Sequence, residues 1–185
     1  MKQITLWIVV LLGSITITAQ NIELSFDNAE ITVEGMDRFY EVDVMITSDA
    51  DYSQGSGQFF LDYNTAAFGT LINGAGGIDF ELPDASILGA DTTVEIVPGV
   101  IVPLGAHYNS FFTNDATNSK VSFIWQQNAS GGLLGDNILA NTPTLLVHVK
   151  IKYLVGATAE DPNLCFDPTN PFDDQFFTAC GPYDP

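Results

Sequence analysis

Asp49 and Asp51 flank Ala50 in the run Ser-Asp-Ala-Asp-Tyr-Ser, directly after an alternating apolar segment. Asp161, Asp167, Asp173 and Asp174 crowd the C-terminal stretch. Calcium takes about six to eight oxygen ligands and favours loops of this kind. Asp49, Asp51, Asp167, Asp173 and Asp174 are therefore candidate calcium ligands, and calcium is the one cofactor the sequence brings into question. No EF-hand loop is present, because the required glycine and terminal glutamate spacing is missing. Loop aspartates that accept backbone N–H groups in Asx turns are the alternative reading.

Aromatics supply a second kind of chemistry. Tyr52, Tyr108, Phe111, Phe112, Phe176 and Phe177 lie in or near predicted loops and are candidate contacts to a sugar. Neighbouring side chains of a strand point to opposite faces, so the two rings of Phe111-Phe112, or of Phe176-Phe177, cannot both enter the core. At least one ring of each pair is expected to be substantially buried at a sandwich edge.

Catalysis finds little footing. His148 sits between Val147 and Val149 on the outward face of a predicted strand, and His107 lies in Gly-Ala-His-Tyr-Asn. No serine occupies a nucleophile-elbow motif. Carboxylate pairs are expected by chance in so acidic a chain, so the sequence reads as a non-enzyme. Cys165 and Cys180 are the only cysteines. In an exported chain such a pair predicts a disulfide that would tie down the C-terminal segment.

Export itself is read from residues 1–20. Lys2 gives a positive start, Ile4 to Leu12 is nearly all apolar, and the small residue Ala19 follows. That is the layout of a signal peptide cleaved near Ala19, and its apolar run is too short to span a bilayer. The expected destination is outside the cell or on its surface, with no membrane insertion once the leader is gone. The 185 residues carry a formal net charge of −18. An acidic surface of this strength repels phosphate backbones, which argues against nucleic acid as a partner.

The elements that must hold these residues are strands. Phe39–Thr47 places Tyr40, Val42, Val44 and Ile46 on one face and Glu41, Asp43 and Thr47 on the other. Period two of this kind predicts a half-buried strand. Asn21–Phe26, Gly57–Tyr63, Val94–Val97, Lys120–Gln126 and Leu145–Tyr153 read likewise, the last with Leu145, Val147, Val149, Ile151 and Tyr153 inward and His148, Lys150 and Lys152 outward. Gly, Asn, Asp, Ser and Pro clusters separate them, and Thr65–Phe68 is the one helical candidate. The expectation is one all-β domain over residues 21–185, a two-sheet antiparallel sandwich of jelly-roll or immunoglobulin-like type.

The order Phe39–Thr47, then GQFFLDYNTAAFG at Gly57–Gly69, then KVSFIWQQN at Lys120–Asn128, then LLVHVKIKY at Leu145–Tyr153 resembles the cohesin-like β-sandwich, a relative of several carbohydrate-binding modules. The resemblance implies a non-catalytic binding or adhesion module. Its ligand would be a polysaccharide held by loop aromatics, or a small protein domain held by a sheet face. It also implies that the strands Phe39–Thr47 and Leu145–Tyr153 are antiparallel neighbours, with Lys150 and Lys152 facing the carboxylates Glu41 and Asp43. The leader ending in Ala-Gln and the segments SGQFFLDYNTAAFG and DDQFFTACGPY resemble secreted surface proteins of the Bacteroidota, including those of the type IX export system. Asp91-Thr92-Thr93 resembles the O-glycosylation motif of that phylum, which makes Thr92 a candidate modification site.

Overall fold

Strands account for nearly all of the regular structure in the computed structural model. It describes residues 21–89, 91–97, 100–106, 108–127, 137–138, 140–157, 159–166 and 176–179. The strands are β1 Ile22–Glu34, β2 Asp37–Ser48, β3 Tyr52–Asp62, β4 Ile78–Glu81, β5 Asp91–Val97, β6 Val100–Ala106, β7 Tyr108–Thr117, β8 Lys120–Gln127, β9 Asn137–Ile138, β10 Thr144–Lys152, β11 Cys165–Phe166 and β12 Phe176–Ala179. One short helix, α1 Thr65–Phe68, follows β3. Asn64 caps it by accepting the Ala66 N–H at 2.9 Å, which satisfies one of the N–H groups a helix start leaves open.

The protein is a two-sheet antiparallel β-sandwich. The first sheet runs β1-β2-β10-β4. The second runs β11-β3-β8-β7, with β9 and β12 also pairing β3, and β5-β6 forms a separate hairpin. Val42, Val44, Ile46, Val149 and Ile151 of the first sheet are fully buried, as are Phe59, Leu61, Val121 and Trp125 of the second. Phe80 of β4 stacks on Phe123 of β8 at 4.7 Å, so aromatic rings bridge the layers. The alternation seen in the sequence thus matches the inward faces of β2, β3, β8 and β10.

Two details depart from the sequence reading. β4 and β6 carry no period-two signal of their own, and β7 occupies a stretch whose aromatics the sequence places in or near loops. β10 carries a register shift between Leu145 and Val147. As a result Leu146 is buried, while Leu145, expected inward, is half-buried.

Of the two cysteines expected to form a disulfide, Cys165 lies in β11 opposite Asp62 of β3, and Cys180 lies outside the described residues. β11 and β12 both pair with β3, which holds the C-terminal strands against the second sheet.

Candidate functional site

The outward face of the second sheet carries the most ligand-like surface. Its rows follow from register. Phe112 of β7 lies opposite Ile124 of β8, and Ile124 lies opposite Gln58 of β3. One row along, Asn114 faces Ser122, which faces Phe60. Phe112 is 51% exposed and presents its ring to solvent. Ile124, Phe60 and Gln58 are half-buried, and Gln126 is exposed. Ser56, Gln58, Phe112, Ile124 and Gln126 line one shallow open groove. Lys120 closes the far end, its Nζ lying 6.0 Å from the centre of the Phe60 ring.

What holds this face flat lies directly beneath it. Gly57 pairs with Trp125, whose indole lies where a Cβ on residue 57 would be, 2.1 Å from its Cζ2. The Trp125 Nε1–H donates to the Gly55 carbonyl at 2.9 Å. Glycine at 57 therefore lets a large ring lock β3 to β8 under the groove.

The candidate aromatics fall into different roles. Tyr52 and Tyr108 are core residues, 3% and 2% exposed. The Tyr52 hydroxyl donates to Gln54 Oε1 at 2.6 Å and the Tyr108 hydroxyl to the Gln54 carbonyl at 2.8 Å. Burial pushes the Tyr52 phenol well above its ordinary pKa, so it stays a neutral donor. Neither presents a ring to solvent, so the loop-exposed position expected for both is not what the structure shows. Phe111 and Phe112 belong to strand β7, not to a loop. Phe111 turns inward opposite Trp125 and stacks on Phe123 at 6.1 Å. Because β7 ends its sheet, that ring remains 38% exposed. The side chains of Phe176, Phe177 and Thr92 lie outside the described residues, as do His107, Asp167, Asp173 and Asp174.

Asp49 and Asp51 act as loop-closing acceptors. Asp49 Oδ1 takes the Asn21 N–H at 3.0 Å, and Asp51 Oδ1 takes the Ala140 N–H at 2.6 Å. Asp161 Oδ1 closes a turn through the Asn163 N–H at 2.9 Å. Among the described residues no group of three or more His, Cys, Asp or Glu side chains is arranged to hold a metal ion.

The opposite face of the molecule carries a charge network. β10 pairs antiparallel with β2, as the resemblance implied, and Lys150 lies opposite Glu41; it is His148, however, that lies opposite Asp43, while Lys152 lies opposite Phe39. His148 Nδ1 lies 2.7 Å from Asp43 and Nε2 lies 3.1 Å from Glu41. Burial lowers the His148 pKa, but hydrogen bonds and charge from Asp43 and Glu41 outweigh it and raise the net value. Lys150 Nζ reaches Glu34 at 2.5 Å and Glu41 at 3.3 Å, and Lys152 reaches Asp37 at 2.6 Å. Both lysines are thus bound to carboxylates of their own sheet. No protein-family model, curated protein or solved structure matches this chain.

Proposed function

We propose that this chain is a non-catalytic binding module, exported to the cell surface or beyond, that holds a neutral polysaccharide on the outer face of β3, β8 and β7. The observation that carries the reading is Phe112. It is a half-exposed ring on a sheet face, with Ile124 beside it and the amides of Gln58 and Gln126 around it. An aromatic face covers the apolar C–H face of a sugar ring, and an amide both donates to and accepts from hydroxyls. Strong negative charge favours an uncharged glycan over an acidic one. The sheet face takes the place that loop aromatics held in the sequence reading. The leader-like segment 1–20 supports export.

The test is glycan-array screening of residues 21–185, followed by calorimetry with the best neutral hit. Phe112→Ala is expected to weaken binding about tenfold, since the exposed half of a phenylalanine is worth roughly 1–1.5 kcal/mol when covered. Its fold should be unchanged. Equal affinity of wild type and Phe112→Ala for every glycan bound would sink the assignment.

A further inference from the structure

A second exposed surface lies far from the groove, at one end of the first sheet. Ile31 is 47% exposed, Val33 64%, Leu154 46%, and Met36 and Val155 are entirely exposed. Register joins them. Val33 pairs with Arg38, and the Arg38 carbonyl accepts the Tyr153 N–H at 2.9 Å. Met36 stands at the β1–β2 turn, and Leu154 and Val155 follow Tyr153. Met36, Arg38, Leu154 and Val155 line one shallow depression. Apolar side chains gathered in this way on a water-facing surface mark interaction sites.

The strand that carries Ile31 and Val33 is also an edge. Among the described residues only β2 pairs with β1, so alternate N–H and C=O groups along its other side are open to a further strand. The two halves of β1 differ. In the first, Phe26 stacks on Phe166 at 4.3 Å. A register shift then falls between Asp27 and Glu30, with Asn28 at a positive φ of 53°. Beyond that shift the inward residues Ile31 and Val33 are exposed, and Glu30, Thr32 and Glu34 alternate with them on the other face.

We propose that residues 30–34 form a strand-addition site for an extended segment of a partner protein whose side chains alternate apolar and basic. Charge selects that occupant. A segment paired here would set apolar side chains beside Ile31 and Val33 and a basic one beside Glu30, Glu34 being already bound to Lys150, and opposite charges across a ladder favour pairing. A second copy of β1 is a poor occupant. β1 contains Glu23, Asp27, Glu30 and Glu34 and no lysine or arginine, so self-pairing would align like charges. The site is independent of the glycan groove and survives failure of that assignment.

The probe is a fluorescein-labelled decapeptide alternating lysine and valine, titrated against residues 21–185 by anisotropy, with amide hydrogen exchange read on the complex. Exchange at residues 29–34 is expected to slow. A proline at the peptide's centre should abolish binding. Glu30→Lys should weaken the lysine peptide about tenfold and favour a glutamate–valine peptide instead. Val33→Asp should weaken both, and its exposure means that the fold is retained. The charge exchange at Glu30 touches no core residue and reads the site even if Val33→Asp disturbs β1. Unchanged affinity of Glu30→Lys for the lysine peptide would overturn the proposal. So would protection confined to other strands, or protection of 29–34 that grows with protein concentration alone, the mark of a second copy.

Discussion

At the scale of single residues, the groove depends on one absence, and the charge network on the opposite face depends on one proton. The absence is the Cβ at Gly57. Adding it forces a rigid indole, not a flexible side-chain tip, to move from 2.1 Å. Gly57→Ala is expected to cost roughly 1–3 kcal/mol or more by overpacking, and to reduce glycan binding because the floor of the groove shifts. Urea unfolding checks the first effect and calorimetry the second; a variant of wild-type stability would show that the ring is not held there. The proton belongs to His148. Its folded pKa is raised, so its contribution to stability is complete below about pH 6.5 and is lost as the pH rises through the raised value. Glu41 works in the other direction. The Thr32 hydrogen bond lowers its pKa most; burial opposes this, and His148 and Lys150 add to the lowering. Its contribution is complete above about pH 4.3 and is lost on acidification through the lowered value. His148→Gln should therefore destabilise most in mildly acidic buffer, with the gap to wild type narrowing on the alkaline side. A gap that is constant with pH would mean that the imidazole is not charged between its two carboxylates.

At the scale of elements, β10 shows what a period-two reading captures and where it stops. Alternation put Val147, Val149, Ile151 and Tyr153 inward, and all are buried. It also put Leu145 inward. The register shift beside it instead buries the neighbouring Leu146. The loop before β5 fixes this local geometry: Ser86 Oγ donates to the Leu146 carbonyl at 2.5 Å, and the Ile87 N–H to the Leu145 carbonyl at 3.0 Å. No local pattern encodes a partner some 60 residues away. Leu146→Ala is expected to cost about 2–5 kcal/mol as a buried truncation, and Leu145→Ala clearly less, in thermal or urea unfolding. Equal costs would show that the shift does not distinguish the two positions. The same reasoning covers the other misreadings. β4 has only four residues after a turn-rich stretch, too few to show a period. Tyr108, Phe111 and Phe112 sit among Asn, Ser and Asp, which resemble a loop until β8 pairs with them. The groove was half visible: its aromatic was named from sequence, but its partners Gln58, Ile124 and Gln126 come together only through register.

At the scale of the whole molecule, charge governs behaviour that no single contact explains. The sequence has 23 acidic residues against 5 lysines and arginines. Three of those basic residues, Arg38, Lys150 and Lys152, lie on β2 and β10, and the two lysines are already bound to carboxylates of the same sheet. With 23 acidic residues and 5 basic ones, most acidic groups have no lysine or arginine of their own. Self-repulsion of this kind opposes the compact state. Added salt shortens the screening length from about 30 Å at 0.01 M to about 10 Å at 0.1 M, which weakens long-range repulsion between exposed charges. It also weakens the surface ion pairs on β10, but isolated exposed pairs are worth little. Repulsion among many carboxylates should outweigh a few such pairs. The thermal midpoint of residues 21–185 is thus expected to rise as sodium chloride increases across that range at neutral pH, and to rise less at a pH where many carboxylates are protonated. Differential scanning calorimetry at matched protein concentration reads both effects. A midpoint that falls with salt would mean that the Glu–Lys and His–carboxylate network of the first sheet dominates the electrostatics. Weak binding of acidic polysaccharides that salt fails to restore would likewise place selectivity in the groove around Phe112, and not in the field of the whole protein.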